Sequence, residues 1–419
     1  MYFKKLSITL LLQCFFTINH LMILILGSLL GYYLLPVEFK HFATLPAAVM
    51  LLCAFIFIPI SRHILSKYGH QIGFFIGSFF GLCGAISFYY AVCDINFLYL
   101  LLATACFGVH QSYAGFLRYI AADNKPCCKK INMVATVITG SIIATMIVPI
   151  LIQYTQNIDP IISYLGTAYA IIIINAIGII TSLFIQNKEN HQITPQNKIA
   201  WQDLSRFKGF KTGASIALIA NSMMHFLMLA IPFAIIGCGL AINDVSLTMQ
   251  IHMIAMLLPA FIIGKLLHKF NFQTTLAIGI ACFILTVPLL YWGYQTSNLV
   301  FFQIGMITMG FGWGILYIAS TGLITLCYCP CDASGIQTKS EMIIVGGTGL
   351  LSLMSGIIYN FYGWQGILIT VIILIIIASV IIIKDSKALI EQSKNGVVNQ
   401  SHRASKFKTT ITNDKALAW

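Results

Sequence analysis

The sequence predicts an all-α membrane protein: twelve transmembrane helices in two pseudo-symmetric six-helix bundles, with the N and C termini cytoplasmic. Three observations lead there. Of 419 residues, 58% are hydrophobic and only 9% charged, and the mean hydropathy is +0.88; soluble domains carry about 25% charged residues. The apolar stretches divide into twelve runs near the length of about 20 residues that a bilayer requires. Of the 24 Lys and Arg, all but Lys40 fall in connections on one side once the runs alternate in direction. Basic loops stay on the cytoplasmic side during insertion, so the sorting gives both the even number of spans and their orientation.

Taken in order, the expected spans are Leu6–Leu35, Ala43–Ile60, Ile72–Val92, Phe97–Ala121, Met133–Tyr154, Ile161–Ile185, Thr212–Leu240, Leu247–Leu267, Thr274–Tyr294, Val300–Leu326, Met342–Tyr362 and Ile367–Ile383. They lack period-two alternation and are too long for barrel strands, which leaves helices as the form that satisfies the backbone in lipid. Lys4 and Lys5 followed by an apolar run imitate a signal peptide. The run continues to Leu35 without a small-residue cleavage pattern, so it reads as an uncleaved first helix.

Residues 1–185 then form the N-terminal bundle and 212–383 the C-terminal one. Between them, 186–211 is a polar cytoplasmic linker in which Ala200, Trp201, Leu204, Phe207 and Phe210 recur at helical spacing, the pattern of a helix lying on the membrane surface. Residues 384–419 are polar and basic with little to bury, and are expected to be disordered. The formal net charge of +12 follows from this sorting of basic loops, so nucleic acid is not an expected partner. Half of the twelve cysteines lie in apolar spans, where a thiol behaves as a small hydrophobe. Cys127, Cys128, Cys327, Cys329 and Cys331 gather in cytoplasmic loops without metal-ligand spacing, and neither a metal nor a cofactor is expected. No Gly-x-x-x-x-Gly-Lys-Ser/Thr phosphate loop is present.

The basic turns also expose an internal repeat. Arg62-His-Ile-Leu-Ser-Lys-Tyr-Gly-His-Gln71 follows the second span, and Gly264-Lys-Leu-Leu-His-Lys-Phe-Asn-Phe-Gln273 follows the eighth. Each has an aromatic residue after its central Lys and then a turn former, Gly69 or Asn271. Repeated six-helix halves are a transporter signature, with the solute site between them. On these residues the chain resembles the major facilitator superfamily, whose loop after the second helix reads Gly-x-x-x-Asp-Arg/Lys-x-Gly-Arg/Lys-Arg/Lys. Lys67 and Gly69 match it in the first half, Gly264 and Lys269 in the second; Ser66 and His268 stand where the family has its acid. The resemblance implies a gating role for these four residues, weakened by the missing carboxylate. Leu45-Pro46-Ala47 and Arg118-Tyr-Ile-Ala-Ala-Asp123 are similar to a bacterial branch that includes riboflavin importers. Drug-exporting members carry Gly-Pro-x-x-Gly-Gly in the fifth helix; Pro149 lacks those glycines here, which favours uptake over drug export.

Ionisable residues inside a membrane default to functional candidates. No carboxylate falls near the centre of an expected span, Glu341 coming closest at the start of the eleventh. Histidines fill the vacancy: His20, His110 and His225 lie near mid-span in the first, fourth and seventh helices. The resemblance implies that these helices and the tenth line the central cavity. Imidazole titrates near neutral pH and can donate or accept a hydrogen bond, which suits it to solute or proton; within a bundle it can equally bond a neighbouring backbone group. Asn19, Gln111 and Asn221 accompany the histidines, and Asn221 and His225, four apart, share a face. Amides also hold transmembrane helices together. In the tenth helix, Trp313 and Tyr317 share a face among Gly310, Gly312 and Gly314, suiting either a ring-bearing solute or close helix packing. Arg118, late in the fourth helix, can clamp an anionic group or snorkel to the inner surface, the anchor being the expected role.

The expectation is therefore a monomeric, multi-pass protein of the inner (cytoplasmic) membrane that moves a small-molecule substrate by alternating access, with protons as a candidate coupling ion. A vitamin such as riboflavin, a siderophore and an amino acid are all compatible solutes. A membrane-embedded enzyme would need converging catalytic groups, and a channel a charged ring or filter; the sequence offers neither.

Overall fold

Long apolar runs without helix-breaking clusters give helices, and the computed structural model is helical throughout its membrane-sized segments. It describes residues 2–123, 133–156, 158–185, 199–328, 332–386 and 389–390, apart from positions 135, 160, 161 and 208. The basic tail, most of the linker and Cys127, Cys128, Cys329 and Cys331 lie outside the described residues.

Among the described residues, eleven helices are long and apolar enough to cross a bilayer: α1 (Ser7–Leu34), α2 (Leu45–Lys67), α3 (His70–Cys93), α4 (Phe97–Ala121), α5 (Thr136–Thr155), α6 (Leu165–Leu183), α7 (Phe210–Gly237), α8 (Asn243–Leu267), α9 (Phe272–Thr296), α10 (Leu299–Leu326) and α11, which runs through Ala333–Lys384. Outward faces carry apolar stripes at helical spacing, such as Ile173, Ile177 and Ile180 of α6 and Ile369, Ile373, Ile376 and Val380 of α11, all largely exposed. Such stripes have lipid as their natural neighbour.

The last helix is too long for one crossing. Its backbone leaves helical geometry at Gly363 (φ 63°, ψ −160°), a left-handed conformation that glycine adopts without the Cβ penalty. From Gly347 against Leu218 and Ser355 bonded to the carbonyl of Phe226, the first arm follows α7. The second arm ends with Asp385 accepting a hydrogen bond from Thr212, back at the start of α7. The two arms are therefore antiparallel, the chain doubling back at Gly363.

Helix α11 also starts earlier than hydropathy indicates. Gln337, Ser340 and Glu341 depress the apolar average, yet each is 4% exposed or less, because the packing buries them against other helices rather than lipid. Glu341 thus lies two turns inside a helix, where the sequence placed it at the start.

Two halves are built alike. Gly108 of α4 sits so close to α2 that a Cβ would lie 2.4 Å from the carbonyl oxygen of Met50 and 2.7 Å from Cys53 Cβ. At Gly314 of α10 the corresponding distances are 2.4 Å to the carbonyl oxygen of Met256 on α8 and 2.8 Å to Pro259 Cγ. Gly314, Met256 and Pro259 each follow their counterparts by 206 positions. The repeat visible in the basic turns is thus repeated in backbone-to-backbone packing. Those turns match in part: Lys67 lies over the Tyr68 ring and Lys269 over the Phe270 ring. Gly69 enters α3 with φ 88°, whereas Asn271 caps α9 through its side chain, accepting from the Thr274 amide at 2.8 Å.

The linker departs from expectation. Its described part is a single 3-10 turn, Gln202–Arg206, too short for a surface helix. Leu204 and Phe210 pack with Ile324, Tyr328 and Ile336, so the apolar side chains bind the C-terminal half. Trp201 stays half exposed, under the ammonium of Lys339.

Candidate functional site

One face of α10 organises the polar interior. Met306, Gly310, Trp313 and Tyr317 follow at helical spacing and meet α8, α7 and α4 in turn. His252 of α8 donates from Nδ1 to the carbonyl of Met306 at 2.9 Å, close against Gly310. One turn on, Trp313 Nε1 donates to Asn221 Oδ1 of α7 at 3.2 Å, and Asn221 Nδ2 donates to Thr348 of α11 at 3.2 Å. Trp313 stacks on Tyr317, ring centres 4.8 Å apart and planes 15° from parallel.

Two contacts join the halves around this face. On one side His20 of α1 meets His225 of α7, ring centres 5.5 Å apart and edge to face. His225 Nδ1 donates to the carbonyl of Asn221 at 2.9 Å, while its Nε2 is buried without a partner, as is His20 Nδ1. His20 is half-buried and His225 buried. Immediately beyond His20, α1 widens into π-helix over Ile23–Gly27; such insertions change the facing of adjacent side chains and recur at functional sites.

On the other side Arg118 of α4 bonds Tyr317 through Nη1 and Glu341 of α11 through Nη2. Tyr119 donates to the same Glu341 oxygen at 3.0 Å, and Gly115 leaves room for the other one. Arg118 is 7% exposed and Glu341 4%, so the expected snorkelling anchor is instead a buried ion pair between the halves. The sequence missed this partner because Glu341 lies 223 positions away and hydropathy set it at a helix end. Its one signal was its place as the carboxylate nearest a span.

The other expected residues separate. His110 belongs to the N-terminal half alone: Nδ1 faces the carbonyl of Gly77 at 2.8 Å and must donate, Nε2 accepts from Asn19 at 3.0 Å, and the ring stacks on Phe16 at 4.1 Å. Asn19 in turn exchanges hydrogen bonds with Asn175 of α6 at 2.8 and 3.0 Å. With both ring nitrogens engaged, His110 ties α1, α3 and α6 together. Asn175→Ala is expected to lower thermal stability by about 1–2 kcal/mol while leaving solute affinity unchanged, as measured by unfolding and binding of the purified protein. Gln111 lies two turns from Arg118 on the same face of α4, and its Oε1 is buried without a partner. Lys67 and Lys269 are exposed and, among the described residues, stand in no ion pair with a carboxylate. Gly264 is half-buried near the end of α8. His252 was not singled out from sequence, although an imidazole in the eighth span was signal enough.

Two turns past His20 a cavity of about 280 Å³ opens between the halves, bounded by Leu26 and Leu29 of α1, Gln153 of α5, and Asn243 and Gln250 of α8. Among the described residues no group of three or more His, Cys, Asp or Glu could hold a metal ion.

No protein-family model matches the chain. It is 22% identical over 307 residues to the riboflavin transporter RfnT of Brucella anthropi, covering 72% of this chain and 76% of that one. It is 29% identical over 117 residues to YddS of Bacillus subtilis, named as an uncharacterized MFS-type transporter; this covers 28% of the chain and 27% of the relative. Among solved structures, the human organic anion transporter MFSD10 superposes with a TM-score of 0.71 at 11% identity, over 90% of this chain and 98% of that one. A bacterial homologue of the iron transporter ferroportin, outward-facing, superposes at 0.64 and 13% identity, with the same coverage. The helical fold, the repeat and the relatives agree: the chain is a multi-pass membrane protein with the fold of these transporters, and over most of its length it is similar to a transporter, not to an enzyme.

Proposed function

We propose that the chain is a secondary carrier that takes up a small ring-bearing solute, a vitamin of the riboflavin type, by alternating access between its halves. The reading has twelve crossings, counting the two arms of α11 separately, with both termini cytoplasmic. One observation carries it: two contacts between the halves, His20–His225 and Arg118–Glu341, bracket the stacked pair Trp313–Tyr317. A planar solute inserted beside Trp313 reaches both halves at once, which couples occupancy to their relative position. The cavity beyond His20, with Gln153, Asn243 and Gln250 in its wall, serves as the outer vestibule, and the Arg118 pair closes the cytoplasmic end. Lys67, Gly69, Gly264 and Lys269 edge that closure. Histidine and Glu341 are the groups available to a coupling proton.

Support for the solute comes from the resemblance to a riboflavin transporter over most of both chains. The test is uptake into liposomes holding the purified protein, with and without a pH gradient, from a panel of riboflavin, siderophores and amino acids. Saturable riboflavin uptake, reduced at least about tenfold by Trp313→Ala or His225→Ala, is expected. Full-rate transport by the His20→Ala/His225→Ala variant would remove the central site. Non-saturating flux would point to a channel.

A further inference from the structure

The central histidines do more than mark a location, because the protein itself fixes which ring nitrogen is free. A carbonyl oxygen can only accept, so a ring nitrogen facing one must carry the proton. His225 Nδ1 faces the Asn221 carbonyl and His252 Nδ1 faces the Met306 carbonyl, each at 2.9 Å. In the neutral ring the other nitrogen is then a lone-pair acceptor. In both residues that Nε2 is buried and has no partner in the protein. His252 lies within electrostatic reach of His225. A third unpartnered acceptor, Gln111 Oε1, comes from the face of α4 that Arg118 turns toward the C-terminal half. Thr248 and Ser222, one turn before His252 and His225, add hydroxyls without partners; these can accept equally well.

Cationic side chains are missing from the same wall. Across α1, α4, α7, α8 and α10 the sequence holds three, Lys211, Lys265 and Arg118. Lys211 is exposed at the start of α7 and Lys265 is exposed near the end of α8, and Arg118 is already committed to Glu341 and Tyr317.

We propose that this site selects its solute by hydrogen-bond donors: His225 and His252 present paired acceptors to the N–H or O–H groups of an uncharged or cationic molecule, and a carboxylate or phosphate is excluded. His252 is thereby a specificity residue. The proposal rests on the central site described under the proposed function, and adds the chemical class that the site accepts. Buried acceptors left unpaired by the wrong solute are what make such discrimination large.

Two measurements test it. Spectra of the full chain labelled with 15N-histidine, assigned through His225→Gln and His252→Gln, read the tautomers directly at neutral pH. A proton on Nδ1 and a lone pair on Nε2 are expected at both residues; an Nε2–H or doubly protonated ring at either would overturn the assignment. Competition then compares riboflavin, which carries an imide N–H and side-chain hydroxyls, with its N3-methyl, tetra-acetyl and 5′-phosphate derivatives. Each derivative is expected to bind at least about tenfold more weakly, and His252→Leu to narrow the gap between riboflavin and the donor-blocked pair. Equal binding of riboflavin and the blocked forms would refute donor selection. Absence of riboflavin binding would fall on the flavin reading instead, and the tautomers would still decide this one.

Discussion

Glu341→Ala is expected to lose about 3–5 kcal/mol of stability, the cost of leaving a buried charge without its counter-ion. Arg118 would be left with Tyr317 as its hydrogen-bond partner, Nε being already unpartnered, and Tyr119 would lose its acceptor. Because neither group can reach water from its position, relaxation requires the halves to part at this end. Thermal unfolding in detergent should therefore show a marked drop, and a thiol probe added from the cytoplasmic side should enter more readily. The double variant Arg118→Met/Glu341→Leu separates charge from packing. Replacing both partners by apolar groups of similar size removes the desolvation problem, so folding should recover most of the loss. Transport should not recover, because an apolar seal has no charge state to switch. If Glu341→Ala unfolded at the temperature of the unaltered protein, the pair would not be a latch.

This pair also marks where the sequence stops being readable. Class, spans and repeat are legible because they depend on local averages: twenty apolar residues make a span wherever they stand, and a basic turn sorts by its own charge. Partner choice is not local. Arg118 looked like an anchor because its depth in α4 fits one, and the carboxylate that pairs with it is remote in the chain. His110 and His225 looked equivalent from hydropathy and position. Asn19 and the Gly77 carbonyl separate them, by occupying both nitrogens of one ring while the other keeps Nε2 open. The start of α11 was hidden for a related reason. Polar residues buried by protein read, in a hydropathy average, like residues exposed to water.

The second large effect concerns Gly108 and Gly314. At each, a methyl group would stand 2.4 Å from a backbone carbonyl oxygen of the neighbouring helix. A side chain could rotate away; a helix backbone cannot, so α2 and α4, or α8 and α10, must separate along their length. Overpacking of this kind costs about 1–3 kcal/mol and occasionally more, and the loss of close contact along two helices puts Gly108→Ala and Gly314→Ala at the upper end. The 206-position correspondence makes the prediction sharper than either site alone: the two variants should lose similar stability in thermal unfolding. Gly237→Ala is the control, since its nearest neighbour is Tyr359 Oη at 3.8 Å, and it should change stability by less than about 1 kcal/mol. The consequence for transport differs between the two sites. Gly314 lies between Trp313 and Tyr317 in the chain, on the helix that carries the solute face, so moving α10 displaces the stacked pair. Gly108 precedes Gln111 and Arg118 on α4, so moving that helix disturbs the latch. Gly314→Ala should therefore weaken solute binding while the Arg118 pair holds, and Gly108→Ala should loosen cytoplasmic closure while binding persists. Two variants equal in stability yet opposite in these readouts would establish that a duplicated scaffold carries different tasks in its two halves; identical functional losses would refute that division.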